Sequence, residues 1–326
     1  MPTLQMLLRL CAKNVAGPAD YLTGLAHPPV FQAQNLDPER MVKMAHAMDS
    51  NAVPPMVQMR VAEEDRPMLG RDYCDVAERE RLFDTPCAIA RVWRATQYRR
   101  RMVVSAEASR DLNGRPLTWH WVVLQGDPER IRIRPVNRAG SVAEITAAYH
   151  ARRPIAPGST IESCRVDIGC FAHNGVYYSA PGFISFNFLD NEKRVYDAQE
   201  RIRVMDYADP QVSRNYVDPA IDLPKRWRDE YHEDARGQMI GWTRWRGERR
   251  EEFTADGALV LATDKLGRPV RARAVDYVAV PRDKFTAVLE QEPGAEIREY
   301  EYASARERVG RIRARATAPA GAPQAQ

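Results

Sequence analysis

Residues 111–121 read DLNGRPLTWHW, a polar, glycine-containing stretch followed by a run of alternating apolar and polar residues. Asp, Asn and Gly are favoured in tight turns, and Gly readily adopts the positive φ that many of them need. In the run that follows, Leu117, Trp119 and Trp121 alternate with polar residues, as in a strand that buries one face. The stretch therefore predicts a turn and then a strand, with the tryptophans facing a core and His120 facing the opposite side.

The same period-two pattern continues on both sides of this stretch. Seven short β-rich runs lie between residues 88 and 188, separated by turn residues: AIARVWR, RRMVVSAEA, LTWHWVVL, RIRIR, AEITAAYH, RVDIGCFAH and GFISFNF. Seven strands in about 100 residues, with no helix between them, favour an antiparallel β-sandwich over 88–188.

Beyond residue 188 the strands take a different form. Four segments each place a turn with Asp between two apolar strand ends: RVYDAQERIRVMDY, EYHEDARGQMIGWTRW, EEFTADGALVLAT and TDKLGRPVRARAVDY. This arrangement predicts β-hairpins, and we expect a hairpin domain over 189–302. The tail at 303–326 turns to Ala, Pro, Gln and Arg, which predicts a largely disordered segment, with disorder from about residue 312.

The first 87 residues have a mixed pattern. The tripeptide DPE at 37–39 supplies an N-cap, a proline at the first helical position and an acid in the first turn, so we expect a helix over 38–49. Apolar residues alternate from Val57 to Val61, which predicts a short strand. The predicted fold class is thus mainly β: an antiparallel immunoglobulin-like sandwich and a hairpin domain, preceded by a small mixed α/β segment at 1–87.

Charge and hydropathy exclude several classes of protein. The 326-residue chain has 48 Lys and Arg against 44 Asp and Glu, a net charge of +4, which leaves little positive surplus for a nucleic-acid surface. No stretch approaches the roughly 18 apolar residues of a membrane span, and the start lacks the basic region of a secretory signal. We therefore expect no nucleic-acid partner, no transmembrane segment and no signal peptide in the chain as given.

The five cysteines give no metal-binding pattern. They form no CxxC and no Cys/His spacing, so we expect no structural metal site and no cofactor. Cys164 and Cys170 fall in one predicted strand, about 20 Å apart, which is too far for a disulfide. Cys74 and Cys87 are free to pair with each other, and the odd total leaves at least one free thiol.

The stretch VVSAEASRDLNGRPLTWHWVVLQGDPERIRI, residues 103–133, resembles a PKD-type or related immunoglobulin-like domain. Such domains place a strand, an Asp-x-Asn/Asp-Gly turn and a strand with alternating aromatic residues in this order. The resemblance implies an immunoglobulin-like sandwich over about 88–188. The later stretch CRVDIGCFAHNGVYYSAPGFISF is longer than the usual ending of such domains, which leaves the order of the last strands open.

The later hairpins resemble YD repeats, the tyrosine–aspartate units of Rhs-type proteins, whose pattern is Tyr-Asp-x-x-Gly-Arg and an aliphatic residue. Residues 196–202, YDAQERI, match except that Glu200 replaces the glycine; 234–237, DARG, keep Asp and Gly; 264–268, DKLGR, match through the arginine. The resemblance implies hairpin structure and no toxin activity. Both families are commonest in exported or surface proteins, which implies an extracellular, cell-surface or periplasmic location.

No linear catalytic motif is present: the chain has no G-x-S-x-G, H-E-x-x-H, Walker or G-x-G-x-x-G sequence. The candidate catalytic residues are Asp111, His120, Asp167 and His173, which cluster in one predicted domain. A hydrolase with its site at the junction of the sandwich and the N-terminal segment is therefore the alternative hypothesis. The structural interpretation of the same residues is a turn, a sheet-packing histidine and an ion pair between Arg165 and Asp167.

Aromatic and arginine residues crowd one part of the hairpin domain, and they are the candidate ligand-binding residues: Trp227, Tyr231, Trp242, Trp245, Arg244 and Arg246. Aromatic faces stack on sugars, and arginine adds hydrogen bonds or charge. The alternative is that the tryptophans fill the thin core of this domain. The sequence thus favours a non-catalytic binding or structural module of an exported or surface protein, with a polysaccharide or a surface protein as partner.

Overall fold

The computed structural model describes residues 2–76, 80–207, 215–219 and 221–313, and they form a mainly β protein, as predicted. The helices of these residues lie near the N-terminus: α1 (Pro2–Leu10), α2 (Pro18–Tyr21) and α3 (Pro38–His46). Short 3-10 turns occur at Ala33–Asn35 and Pro128–Arg130. The predicted cap of α3 is confirmed, because Asp37 Oδ1 accepts the N–H of Arg40 at 3.0 Å.

The strands are β1 (Arg60–Glu64), β2 (Arg81–Thr85), β3 (Ala88–Trp93), β4 (Arg99–Ser105), β5 (Thr118–Gln125), β6 (Ile131–Pro135), β7 (Val142–Ala148), β8 (Arg153–Pro154), β9 (Glu162–Ser163), β10 (Arg165–His173), β11 (Gly182–Phe188), β12 (Lys193–Tyr196), β13 (Ile202–Asp206), β14 (Arg228–Glu233), β15 (Met239–Arg246), β16 (Arg249–Thr254), β17 (Leu259–Thr263), β18 (Pro269–Pro281), β19 (Ala287–Glu301) and β20 (Arg311–Ile312). All seven strands predicted between 88 and 188 are present.

Two sheets pack face to face as a sandwich, in the orders β1-β4-β7-β6 and β2-β3-β11-β10-β5. Strand β1 pairs with β4 and β2 pairs with β3, so two strands from before residue 88 belong to these sheets. The predicted boundary at residue 88 therefore falls inside the sandwich. Pairing between β3 and β11 is parallel, an exception to the antiparallel arrangement that the sequence predicts.

The stretch at 111–121 forms the predicted turn and strand. Asp111 Oδ2 accepts the backbone N–H of Asn113 at 3.0 Å and of Arg115 at 2.8 Å, and Gly114 has a φ of 68°. Trp119 and Trp121 pack against the sandwich core, which both sheets supply. The alternation of the strand thus sends the two indoles inward.

The N-terminal segment covers the outer face of the second sheet. Met6, Val15 and Tyr21 pack there against Leu124 and Phe171, which project from the side of the sheet opposite the sandwich core. Part of the segment at 1–87 therefore forms a third layer, and part of it supplies β1 and β2. Among the described residues, no helix is both long and apolar enough to cross a membrane.

The hairpin domain is a single nine-stranded sheet in which β12 to β20 follow one another in chain order, each antiparallel to the next. The predicted hairpin turns are confirmed. In three of them one aspartate oxygen accepts the N–H groups two and four residues further on, at Asp197, Asp234 and Asp264. Glu200 takes the place of the glycine with a positive φ of 62°. The same turn, with the same two hydrogen bonds, occurs at Asp111 in the sandwich.

The structure adds detail on the C-terminal segment and on the cysteines. In the segment predicted to be largely disordered, β20 pairs with β19 and residues 303–313 lie against the sheet, whereas 314–326, most of the stretch for which disorder is predicted from about residue 312, lie outside the described residues. Cys74 and Cys87, whose pairing the sequence leaves open, do not pair: all five cysteines are free, with Cys74 buried in the hairpin domain and Cys87 exposed on the sandwich.

Candidate functional site

Most of the aromatic and arginine residues predicted to bind a ligand form the core of the hairpin domain. Trp227 and Trp242 are each 2% exposed, Arg244 is fully buried, and Tyr231 is buried with them. Buried faces cannot stack on a sugar, so the predicted binding platform is wrong for these four residues. The alternative, that the tryptophans fill a thin core, describes Trp227 and Trp242 correctly.

Arg244 shows why this core accepts a charge. Its Nε and Nη2 donate to the two oxygens of Asp229 at 2.7 and 2.8 Å, and its Nη1 donates to Tyr277 Oη and Gln291 Oε1, each at 2.9 Å. The remaining Nη2 proton points to Cys74 Sγ at 3.5 Å. All five donors of the guanidinium therefore have partners. Burial lowers the pKa of this group, but the Asp229 carboxylate more than offsets that effect and the net shift is upward.

The other two predicted residues lie at the surface of the sheet. Trp245 is half-buried on the face opposite the core, where Arg250 lies 5.9 Å from its ring centroid. Arg246 is half-buried on the core side and donates to Glu251 at 2.7 Å. Neighbours in a strand point to opposite faces, so one run of aromatic and arginine residues is divided between the two sides of the sheet.

Two of the predicted catalytic residues come together. His120 and His173 lie on the paired strands β5 and β10, on the outer face of the second sheet. The ring of Tyr178 lies next to both, with centroid distances of 5.3 Å to His120 and 4.4 Å to His173. The pKa of His173 is lowered, first by burial and then by the nearby His120. Imidazole and phenol rings packed in this way are typical of a surface aromatic cluster.

Of the other two predicted catalytic residues, Asp111 is held in its turn beside the end of β10, and Asp167 lies far from the histidines. Asp111 forms its turn and accepts a hydrogen bond from Asn174 Nδ2 at 2.7 Å. Asp167 is six residues from His173 along β10, which corresponds to about 20 Å. There it pairs with Arg165 at 2.9 Å, as predicted, and accepts the hydroxyl proton of Ser185 at 2.6 Å.

The four predicted catalytic residues therefore form no shared catalytic site. A general acid or base has to reach the reacting group within hydrogen-bond distance, and Asp167 lies at the opposite end of the strand from both histidines. Among the residues that the structure describes, no group of three or more His, Cys, Asp or Glu side chains is arranged to hold a metal ion.

The open face of the nine-stranded sheet carries hollows that the sequence did not predict. The first, with a volume of about 460 Å³, lies between the sheet, the loop at 71–72 and the C-terminal segment at 308–312. Met239, Ile240 and Val309 are among its apolar lining residues, and Gln238 lies in its exposed rim. A second hollow of about 530 Å³ continues from it and shares Ile240.

Arg308 borders both of these hollows and a third one beside them. Its side chain is exposed and makes no hydrogen bond or ion pair with any residue that the structure describes. Two other arginines at the second hollow are paired: Arg250 with Glu252 at 2.6 Å, and Arg268 with Asp264 at 2.7 Å. Arg308 is thus a cation whose donors face the hollows without a protein partner in the described part of the chain.

A polar row lies in the second hollow. Thr243, 2% exposed, donates its hydroxyl proton to both oxygens of Glu252 at 3.1 Å. His232 Nε2 lies 2.7 Å from the same hydroxyl oxygen, so the imidazole has to donate there. Because the Thr243 hydroxyl accepts one hydrogen bond and donates its proton, it holds both the His232 imidazole and the Glu252 carboxylate in fixed orientations at the wall of the hollow.

The first hollow depends on residues that the sequence interpretation assigned to a disordered tail. Two residues of the sequence, Val309 and Ile312, could have indicated that this segment packs against the sheet, because they are large apolar residues in a segment rich in Arg and Ala. Their role requires knowing that β20 folds back onto β19, which is a tertiary contact.

No protein-family model matches the chain, and no curated protein matches it. One solved structure with some similarity is a nucleoside hydrolase-related hypothetical protein from Saccharophagus degradans that is associated with carbohydrate metabolism. The match has a TM-score of 0.24 and 14% sequence identity, and it covers 46% of this chain and 30% of that one. A likeness at this level carries no argument about fold or function.

Proposed function

We propose that this chain is a non-catalytic binding module that holds a saccharide on the open face of its nine-stranded sheet. The observation that carries the proposal is the first hollow, about 460 Å³ in volume, with an apolar lining and Arg308 at its edge. This volume lies within the range of about 300–1,000 Å³ that small-ligand sites occupy.

The chemistry of the hollow suits a sugar. Saccharides present C–H surfaces next to hydroxyl groups, and the hollow offers the side chains of Met239, Ile240 and Val309 next to the amide of Gln238. Tyr302 supports the wall and offers no stacking surface, because Arg268 lies over its ring at 4.0 Å and Gly310 packs closely against it. Apart from Tyr300, whose hydroxyl donates to Asp256 Oδ1 at 2.9 Å, the contacts are therefore aliphatic and polar, in contrast to the aromatic platform that the sequence predicted.

Arg308 favours an acidic saccharide. A guanidinium with free donors binds a carboxylate through two parallel hydrogen bonds, a geometry that neutral hydroxyl groups do not match. Acidic polysaccharides occur at cell surfaces, and the resemblance to PKD-type domains and YD repeats supports an exported or surface location for the module.

Binding of soluble oligosaccharides to the purified chain, measured by titration calorimetry, tests the proposal. We expect oligogalacturonate to bind more tightly than cellohexaose, and Arg308→Ala to weaken oligogalacturonate binding about tenfold or more, since hydrogen bonds to charged groups contribute roughly 1.5–3 kcal/mol. Arg132→Ala, which removes an exposed arginine from the sandwich, is the matched control and leaves binding unchanged. The proposal is contradicted if neither sugar binds. It is also contradicted if Arg308→Ala binds oligogalacturonate as tightly as the unmodified chain does.

A further inference from the structure

A separate hollow lies in the sandwich, where the end of β5, the hairpin of β8 and β9, and the start of β10 meet. Its volume is about 320 Å³, and its lining includes Gln125, Arg153, Ile155, Pro157, Ser163 and Arg165. The proposed saccharide site on the nine-stranded sheet shares none of these residues.

Gln125 has an acceptor without a partner at this hollow. The residue is 7% exposed, and its Nε2 donates to Ser163 Oγ at 2.6 Å. Its Oε1 is buried and has no hydrogen-bond partner among the described residues. Buried side-chain oxygens in folded proteins nearly always accept a hydrogen bond. We therefore expect Gln125 Oε1 to accept one from a group outside the described residues.

The orientation of the Gln125 amide follows from its neighbour. Ser163 donates its one hydroxyl proton to Asp218, whose Oδ2 lies 2.8 Å away, and its oxygen also accepts the N–H of Arg165 at 2.9 Å. With that proton committed to a carboxylate, the amide can only donate to the hydroxyl. The flipped amide would place two oxygens against each other, so Oε1 is the atom without a partner.

Two arginines supply donors at the same hollow. Arg165 Nε donates to Asp167 at 2.9 Å, and Arg153 pairs with Asp127 at 3.0 Å. Each guanidinium has five N–H groups, so both retain donors beyond these pairs. Arg165 Nη1 also lies 3.8 Å from Asp218 Oδ1, so carboxylates balance the charges of both arginines, which favours a neutral ligand over an anion.

The wall of the hollow is built before any ligand arrives. Ile155 N–H donates to Ile161 O and Ser159 N–H donates to Ala156 O, each at 3.0 Å, and these bonds hold the loop of the β8–β9 hairpin. Gly158 has a φ of 76°, a conformation that glycine adopts without strain. Pro154 and Pro157 further restrict the loop. A wall that is already ordered loses little conformational entropy on binding.

We propose that this hollow binds a neutral polyol of about the size of a monosaccharide. A hydroxyl group donates a hydrogen bond to Gln125 Oε1 and accepts one from an N–H group of Arg153 or Arg165, so one functional group satisfies both requirements. Ile155 and Pro157 provide apolar contacts for the C–H surface of such a ligand. The site goes beyond the proposed saccharide site on the sheet and takes a ligand of different charge.

The test uses the full chain with D-glucose, D-galactose, D-mannose and myo-inositol as neutral probes and D-glucuronate as the charged comparison. Saturation-transfer NMR detects binding and titration calorimetry measures it. We expect at least one neutral probe to bind saturably and more tightly than glucuronate. Gln125→Met, which keeps the side-chain length and removes the acceptor, weakens this binding about tenfold.

A second variant, Arg153→Ala, tests the site if Gln125→Met fails to fold, because Arg153 is half-exposed and its loss should not disturb the fold. We expect Arg153→Ala to weaken binding of the neutral probe several-fold. Gln97→Met, which changes an exposed glutamine between β3 and β4 that lines neither proposed site, is the matched control and leaves neutral-probe binding unchanged. If no probe binds, the hollow holds water only and the inference is wrong. Unchanged binding in both Gln125→Met and Arg153→Ala overturns it as well. Arg308-dependent binding of oligogalacturonate is a separate readout, so the two proposals can fail independently.

Discussion

The sandwich and the nine-stranded sheet bury their faces in different ways. In the sandwich, two sheets cover each other, and the core consists largely of aliphatic side chains such as Val104, Ile145 and Ile168. The outer face of its second sheet is covered again by the N-terminal segment. The nine-stranded sheet has a core on one face only, and aromatic residues such as Trp242 dominate it.

The difference shows what a single sheet needs in order to form a core. Large side chains lie along its surface and cover one another, as Trp242 and Phe253 do with stacked rings 5.2 Å apart. Arg244 extends this layer, since its guanidinium lies 4.3 Å from the ring of Trp227. The same arrangement leaves the opposite face open, and the hollows around Arg308 occur there.

The largest effect that we expect comes from breaking the ion pair in this aromatic core. Asp229→Ala leaves Arg244 buried without its carboxylate, and the free energy of unfolding should fall by about 3–5 kcal/mol. In the sandwich, the buried Arg91 pairs with two partly exposed carboxylates, Glu64 at 2.7 Å and Asp84 at 2.8 Å. Asp84→Ala leaves the Glu64 carboxylate in place beside Arg91, so the free energy of unfolding should fall by about 1 kcal/mol. Denaturant unfolding followed by tryptophan fluorescence compares the two variants; equal losses would contradict the contrast.

A smaller effect concerns the N-terminal layer on the sandwich. Burial lowers the pKa of His27 to about 4, although its hydrogen bond to Tyr21 O raises it in part. Between pH 6.5 and about 4, the unfolded chain therefore binds a proton that the folded chain does not, so stability falls as the pH falls. The loss is at most about 1.4 kcal/mol per pH unit.

His27→Gln removes this titration and retains a donor for the Tyr21 carbonyl. We expect the unmodified chain to lose about 2–3 kcal/mol more stability than the variant between pH 7 and pH 4. Hydrogen exchange should place the difference in α1, α2 and the strands below them, with β14–β16 unaffected. The same pH dependence in both chains would show that His27 does not set it.

The smallest effect that we expect on stability concerns the same type of turn in two different surroundings. Asp234 holds the turn between β14 and β15 through two backbone N–H groups, and Asp234→Ala should lower the free energy of unfolding by about 1 kcal/mol. Asp111 holds the corresponding turn and also accepts a hydrogen bond from the buried Asn174, so Asp111→Ala should cost about 2 kcal/mol. Thermal unfolding of both alanine variants, with the asparagine variants as controls, measures this difference. A larger loss for Asp234→Ala would reverse the comparison.

Local patterns were sufficient to predict the strands and the hairpin turns. The alternation around Trp119 and Trp121 correctly assigned the inward face of β5, because neighbouring side chains in a strand always point to opposite sides. The turns at Asp197, Asp234 and Asp264 were predictable because their hydrogen bonds join residues only two and four positions apart.

By itself, then, the sequence determined where the strands and turns form and that the fold is mainly β, since these depend on contacts between near neighbours. Only the tertiary structure decided which faces are covered. It buried Arg244 against Asp229 and Cys74, brought β1 and β2 into the sandwich, and left Arg308 and Gln125 at hollows. The physical reason is that alternation divides a strand into two faces, whereas segments distant in the chain determine which face meets water.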